Sequence, residues 1–138
     1  MSYDNDNIFA KILRSEIPCV KVFEDDKTLA FMDVMPQAQG HTLVIPKEPA
    51  ETLLELSPAA ASNLINKVQI IALAVKKAMN AEGITLMQFN GAAAGQTVPH
   101  IHFHILPGSL KNARAHASGM ENIDKLEIVA AKIRAELT

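Results

Sequence analysis

The spacing of apolar residues changes along the chain, and each spacing predicts a different kind of element. Apolar positions three and four apart are typical of helices with one buried face, whereas alternation is typical of strands. The first pattern predicts three helices, at residues 7–14, 58–80 and 121–137. Alternating or short apolar runs between turn residues predict five strands, at residues 20–23, 28–34, 41–45, 84–89 and 100–106.

The order of these elements indicates the class of fold. The first two strands flank the polar turn EDDK, which is a hairpin signal. The long helix begins at Ser57-Pro58, a capping hydroxyl followed by proline, and it separates the third and fourth strands. We therefore expect one domain over residues 1–138, of the α+β class, with an antiparallel sheet of about five strands and helices packed on it.

Composition narrows the classes of function. The 138 residues are 49% hydrophobic and 20% charged, which suits a globular domain with a real core. The net charge of −2 offers no basic surface, so neither nucleic acid nor membrane is expected as a partner. The polar start MSYDNDN and the short apolar runs predict no signal peptide and no membrane span. Cys19 is the single cysteine; it excludes an internal disulfide and favours a cytoplasmic location.

Three of the five histidines lie within the run VPHIHFHILP, where His100, His102 and His104 alternate with apolar residues. Because successive strand side chains point to opposite faces, this spacing puts three imidazoles on one face. Three interpretations are open: an exposed strand face, a metal site, or nucleophilic and acid–base catalysis at phosphorus. The exposed face is the least favoured, and the triplet alone does not decide between the other two.

The loop before the histidines favours catalysis. Residues 90–97, NGAAAGQT, are glycine or alanine except for the amides Asn90 and Gln96 and the hydroxyl residue Thr97. Small residues let backbone N–H groups approach an anionic oxygen, and Gln96 and Thr97 supply neutral donors. A flexible surface turn would explain the Gly/Ala run equally well, so it is the adjacent imidazoles that favour oxyanion contact.

These motifs resemble a known family. HIHFHIL is similar to the histidine-triad pattern, and AGQTVPHIHFHILP to its extended form. IFAKILRSEIP and FEDDKTLAFMDVMPQAQGHTLVIPKEP resemble the Hint branch of the histidine triad (HIT) family, whereas the loop NGAAAGQTVPHIHFHILP is locally more similar to the Fhit branch. The resemblance covers about residues 7–107. It implies the HIT-like fold, no cofactor and no metal, and a homodimer in which two sheets join. The apolar face of helix 58–80 would suit that interface, unless it packs on its own sheet.

The resemblance also implies roles for four histidines. His102 would attack the α-phosphorus of a nucleotide and form a nucleotidyl-histidine intermediate, which water then hydrolyses. His104 would contact the phosphate and the leaving group. His100 would orient His102, and His41 would form a hydrogen bond with His100.

Further residues would bind the substrate. Gln96 would contact the phosphate and the leaving group, and Thr97 would be a further donor to the phosphate. Asp33 would contact the ribose, and Asn90 the region of sugar and phosphate. The base would enter an apolar slot with Met32 and Met35 near its rim, and the slot is formed by Ile8, Phe9, Ile12, Phe31 and Leu43. From the pattern alone these five residues would simply be core.

The expected function is therefore hydrolysis at the α-phosphorus of purine nucleoside phosphoramidates or dinucleoside polyphosphates. Because the Hint-like and Fhit-like features are mixed, the leaving group stays open, as do the base preference and the physiological substrate. Two alternatives also stay open: a nucleotide sensor or scaffold with negligible turnover, and a metalloenzyme whose ligands are the three histidines.

Overall fold

The structure is a computed structural model that describes residues 3–109 and 119–138. Its helices are α1 Ile8–Leu13, α2 Pro58–Ala78 and α3 Ile123–Glu136. Its strands are β1 Lys21–Glu24, β2 Thr28–Met32, β3 Thr42–Pro46, β4 Ile84–Met87 and β5 Phe103–Pro107, with a 3₁₀ turn at Ala92–Ala94 before β5. His116, expected at the surface, lies outside the described residues.

The five strands form one sheet in the order β1-β2-β3-β5-β4, and every neighbouring pair is antiparallel. Helix α2 carries the chain from β3 to the far edge of the sheet, so β5 can then enter between β3 and β4. This arrangement confirms the expected α+β class and the antiparallel sheet of five strands.

Each face of the sheet carries a core of its own. The larger core lies between the sheet and helices α2 and α3, and it includes Ile101 and Ile105. The smaller core lies on the α1 side and is built from Phe9, Leu29, Phe31, Leu43 and Ile45. Because Ile101 and Ile105 enter the larger core, the alternating histidines must point toward the α1 side.

Helix α2 packs on its own sheet through Leu64, Val68, Ile71, Ala74 and Val75. The apolar face that we considered as a subunit interface is therefore already used within the chain. By length and composition α2 could also cross a membrane, but core helices of globular domains pass the same test. Its contacts with the sheet identify α2 as part of the larger core.

Strand β5 begins at Phe103, three residues later than predicted. Before that point the chain leaves the ladder, because the Ile101 N–H donates to the Ala50 carbonyl at 2.9 Å. At the same place the Pro46 carbonyl, at the end of β3, is bonded to the His100 ring. The inward and outward alternation nevertheless continues back to Ile101, which is fully buried.

Gly40 precedes β3 in a conformation that favours glycine, with φ at +94°, and a Cβ there would lie 2.8 Å from Cγ of Met79. Met79 can shift, but the positive φ stays strained for any other residue. We expect Gly40→Ala to lower the free energy of unfolding by about 1–2 kcal/mol in urea titrations. Gly83→Ala is the matched control, since no heavy atom lies within 4 Å there; equal losses in both variants would contradict this account.

Candidate functional site

A cavity of about 410 Å³ opens on the α1 side of the sheet. Its wall contains all the residues expected in the base slot: Ile8, Phe9, Ile12, Phe31 and Leu43. The same wall contains four of the expected polar residues: Asp33, Thr97, His102 and His104. The structure therefore brings the apolar slot and two of the triad histidines together.

A row of paired residues crosses the sheet beneath this site. Phe31 on β2 pairs with Leu43 on β3, Leu43 with His104 on β5, and His104 with Met87 on β4. Paired residues of antiparallel strands share a face, with Cβ atoms about 4.5–5.5 Å apart. This cross-strand row places the apolar slot on one side of His104 and Met87 on the other.

The protonation of His102 follows from its backbone partner. Its Nδ1 lies 2.7 Å from the His100 carbonyl, and a carbonyl can only accept a hydrogen bond. In the neutral ring Nδ1 therefore carries the proton and Nε2 carries the lone pair. The ring is buried except for 4% of its surface, and the Phe9 ring meets it edge to face with 4.9 Å between centroids. These contacts fix a nucleophilic nitrogen at the cavity.

His104 has the opposite arrangement. The backbone N–H of Gln37 donates to Nδ1 of His41 at 3.0 Å, so the proton of neutral His41 is on Nε2. That Nε2 lies 2.9 Å from Nδ1 of His104, which accepts, so His104 carries its own proton on Nε2. A lone pair on His102 and an N–H on His104 thus lie side by side, with ring centroids 4.9 Å apart.

The expected hydrogen bond between His41 and His100 is wrong. Nε2 of His100 donates to the Pro46 carbonyl at 2.9 Å, and its Nδ1 accepts from the Tyr3 hydroxyl. The antiparallel pairing explains the difference, because it sets the later residues of β5 beside the start of β3, where His41 lies. His41 consequently meets the third histidine of the triad, and His100 positions His102 through its backbone carbonyl.

Burial lowers the pKa of His100 to about 4, with the nearby His102 acting in the same direction and the Pro46 carbonyl opposing it. The folded protein therefore keeps this ring neutral, whereas the unfolded chain takes up a proton below pH about 6.5. Its contribution to stability is complete above that pH and is lost as the pH falls toward 4.

We expect the difference in unfolding free energy between wild type and His100→Gln to shrink by roughly 3 kcal/mol between pH 6.5 and 4. Because both proteins carry the same carboxylates, the difference between their unfolding free energies cancels the effect of carboxylates that titrate in the same pH range. Urea titrations at several pH values measure it. A difference that stays constant with pH would show that His100 takes up protons equally in both states.

Gln96 was expected to contact the phosphate, but its side chain forms hydrogen bonds within the protein instead. Its Oε1 accepts from the Gly91 N–H at 2.7 Å, and its Nε2 donates to the carbonyls of Glu51 at 2.6 Å and Val98 at 2.9 Å. Because both amide hydrogens are used, the side chain has no donor left for a phosphate. Gln96 instead holds the loop before β5 against the segment that follows β3.

Asn90 supports the same loop. Its Oδ1 accepts from the backbone N–H of Leu53 at 2.9 Å, and its amide pairs with that of Gln88. Asn90 is absent from the residues that line the cavity, so its contact with sugar or phosphate stays a prediction. Thr97, in contrast, lies in the cavity wall as expected.

Asp33 follows β2 and lies beside the histidine pair. Its Oδ1 accepts from the Met35 N–H at 2.9 Å, and its Oδ2 is 3.5 Å from Nε2 of His41. The ligand atoms of Asp33, His41 and His104 lie within 4.8 Å of one another, so these three could hold a metal ion. The three triad histidines could not do so in this arrangement, because both ring nitrogens of His100 already have partners.

Sequence reasoning missed part of the cavity wall, which also includes Ile17, Pro18, Cys19, Val34 and Val98. Val98 could have been found, because it lies two residues before His100 and shares the parity of the triad. Cys19, whose place at the start of a strand is typical of a small buried side chain, is one of these wall residues. Burial raises the pKa of its thiol, so it forms a neutral part of the wall.

Comparison with known proteins extends these observations. The family model for the HIT domain matches residues 14–110. An adenosine 5′-monophosphoramidase of Schizosaccharomyces pombe is 44% identical over 100 residues, covering 72% of each chain. An adenylylsulfatase of Arabidopsis thaliana is 44% identical over 103 residues, which are 75% of this chain but only 52% of that protein. The crystal structure of a Hit-like protein from Bartonella henselae is 54% identical, with a TM-score of 0.88, covering 99% of this chain and 100% of that one. The chain belongs to the HIT domain family.

Proposed function

We propose that this protein is a cytoplasmic hydrolase that cleaves purine nucleoside phosphoramidates or dinucleoside polyphosphates at the α-phosphorus, through a nucleotidyl-histidine intermediate. The observation that carries the proposal is the pairing of a lone pair on His102 with an N–H on His104 at one cavity. The relatives whose names denote a phosphoramidase and an adenylylsulfatase support the same class of reaction.

In the first step Nε2 of His102 forms a P–N bond to the α-phosphorus. The bond from phosphorus to the leaving atom breaks, and that atom takes the electron pair and a proton from the solvent. The N–H of His104 donates a hydrogen bond to the leaving atom as negative charge develops on it. Such electrostatic stabilisation by a fixed donor is usually the largest single contribution to catalysis. Covalent catalysis replaces one difficult displacement by two easier ones.

In the second step water attacks the nucleotidyl-histidine. Its hydroxyl bonds to phosphorus, its proton returns to the solvent, and His102 leaves with its lone pair restored. The backbone carbonyl of His100 supports this cycle because it keeps the proton of His102 on Nδ1. No step requires a metal ion.

The apolar slot supports a nucleoside as the recognised part of the substrate. The rings of Phe9 and Phe31 meet edge to face with 5.4 Å between centroids, and Leu43 lies beside Phe31 in the cross-strand row. Such a slot favours a flat aromatic base and does not distinguish adenine from guanine. Asp33 lies at its polar end, where a ribose hydroxyl would donate to the carboxylate.

We also propose that two copies of the chain associate. The outer face of α2 exposes Ile65, Ile70 and Leu73, each about half accessible, and the edge strand β4 exposes Leu86. These side chains are separate from the face of α2 that packs on the sheet, and a second copy would cover them. Sedimentation of the purified protein distinguishes a dimer from a monomer.

The function is tested by hydrolysis of adenosine 5′-phosphoramidate and diadenosine tetraphosphate side by side, with and without EDTA. The proposal predicts cleavage of at least one compound at the same rate in both conditions. Micromolar AMP binding without turnover of either compound would favour a sensor or scaffold. Activity lost in EDTA and restored by zinc would favour a metalloenzyme using Asp33, His41 and His104.

A further inference from the structure

Tyr3 lies before α1 and contacts the first histidine of the triad. Its hydroxyl is bonded to Nδ1 of His100, and its ring meets the His100 ring edge to face with 5.6 Å between centroids. We propose that Tyr3 is a positioning residue for the nucleophile, acting through His100 on the Nδ1 proton of His102. The effect on turnover rests on the proposed function, whereas the effect on that proton does not.

The hydroxyl of Tyr3 is the donor in this bond. Nε2 of His100 lies 2.9 Å from the Pro46 carbonyl, which can only accept, so the neutral ring has its proton on Nε2 and a lone pair on Nδ1. Burial raises the pKa of Tyr3, so its hydroxyl keeps the proton that it donates. The fully buried His100 ring is therefore held at both nitrogens, by β3 at one and by the N-terminal segment at the other.

The backbone of His100 lies outside the sheet ladder, so its orientation depends on other contacts. Strand β5 begins at Phe103, two residues beyond the peptide that joins His100 to Ile101. The N–H of this peptide donates to the Ala50 carbonyl at 2.9 Å, and its carbonyl accepts from Nδ1 of His102 at 2.7 Å. The His100 ring is attached at the Cα next to that carbonyl, so a change in the orientation of the ring is transmitted to the bond with His102.

The segment that carries Tyr3 is itself fixed to α1. The side chain of Asn7 donates to the Asp4 carbonyl at 2.7 Å, and its Oδ1 accepts from the Ala10 N–H at 2.9 Å as the N-cap of the helix. Asn7 is buried, so water does not compete for these bonds. Because α1 packs on the same face of the sheet as the triad, this turn gives Tyr3 a fixed place beside His100.

Loss of the hydroxyl would reach the nucleophile through the His100 ring. A buried lone pair on His100 would lose its donor, which is unfavourable, and the ring would be held at one nitrogen instead of two. The bond from His102 to the His100 carbonyl would then open more often. In the open form the proton can move to Nε2 of His102, where it occupies the lone pair that attacks phosphorus.

The test is Tyr3→Phe, which keeps the ring and removes the hydroxyl. We expect kcat for adenosine 5′-phosphoramidate to fall by about tenfold with KM unchanged, because small displacements of a reacting group are costly and the base slot is intact. In NMR spectra of protein with labelled histidine, the Nδ1 proton of His102 should exchange with water about tenfold faster than in wild type.

Ile133→Val is the matched control. It removes one methyl group from the larger core on α3, so it should lower stability by an amount similar to the loss of a hydrogen bond. Because Ile133 does not belong to the α1 side of the sheet, kcat and the exchange rate of the His102 proton should stay as in wild type. An equal fall of kcat in this control would attribute the effect of Tyr3→Phe to stability alone and overturn the proposal.

The outcomes separate this proposal from the proposed function. If wild type turns over the substrate and Tyr3→Phe has the same kcat, Tyr3 is not a positioning residue and the hydrolase stands. Unchanged exchange of the His102 proton overturns the proposal in the same way, even where kcat falls. If wild type cleaves neither the phosphoramidate nor diadenosine tetraphosphate, the hydrolase proposal fails, and the exchange rate alone decides whether Tyr3 fixes the His102 proton.

Discussion

His102→Ala should abolish turnover while leaving nucleotide binding nearly intact. The variant loses the lone pair on Nε2 of His102, which the His100 carbonyl fixes at the cavity beside the N–H of His104. Removing the nucleophile of a catalytic set lowers kcat by about 10⁴-fold or more. The apolar slot and Asp33 are unchanged, so AMP should still bind with a Kd on the order of 10⁻⁶ M, or about −8 kcal/mol.

Two measurements distinguish loss of the nucleophile from loss of structure. Calorimetric AMP titrations compare binding by wild type and variant, and turnover assays compare their rates. His102→Gly with added imidazole provides the matched control, because a free imidazole in the vacated space would regain part of the activity. Normal turnover by His102→Ala would remove His102 from the mechanism.

His104→Ala should have the second largest effect, and its size should depend on the leaving group. The variant loses the N–H that the hydrogen bond from His41 holds on Nε2 of His104. Removing one fixed donor of this kind costs about 10²–10³-fold in kcat. We expect that loss for a phosphoramidate, whose leaving nitrogen develops localised charge. The p-nitrophenyl ester of AMP, whose leaving group delocalises its charge, should lose less than about tenfold.

The matched control for this prediction is His104→Gln, in which a neutral amide donor replaces the imidazole. It should retain more activity toward the phosphoramidate than His104→Ala does. Steady-state assays of both variants with both substrates give the comparison. Equal losses for the phosphoramidate and the ester would mean that His104 only maintains the shape of the site.

The sequence was most informative where local spacing decides the result. Alternation alone places the triad on one face of a strand, and the structure has Ile101 and Ile105 in the core behind it. The hairpin, the long helix and the final amphipathic helix follow from equally local signals. The cavity also contains every residue expected in the apolar slot, because those residues lie either in α1 or on the face of β2 and β3 that α1 covers.

The errors arose where distant segments meet. The partner of His41 depends on which end of β5 lies beside the start of β3, and 63 residues separate His41 from His104. The task of Gln96 depends on the Glu51 carbonyl, which is 45 residues away along the chain. Neither the pairing of β3 with β5 nor the contact of Gln96 with Glu51 leaves a trace in the spacing around the residue itself. The late start of β5 likewise depends on a distant partner, because the Ile101 N–H donates to the Ala50 carbonyl.

The smaller core has a consequence for how this protein can change over evolutionary time. Phe9, Phe31 and Leu43 belong to that core and also line the cavity beside the triad, so any substitution that reshapes the base slot removes packing from the fold. Met87 and Phe89 line a smaller cavity, of about 220 Å³, on the other side of His104, and neither belongs to the two cores as described. Substitutions on that side of His104 can therefore accumulate at little expense of thermal tolerance, whereas a new base preference would need compensating changes elsewhere.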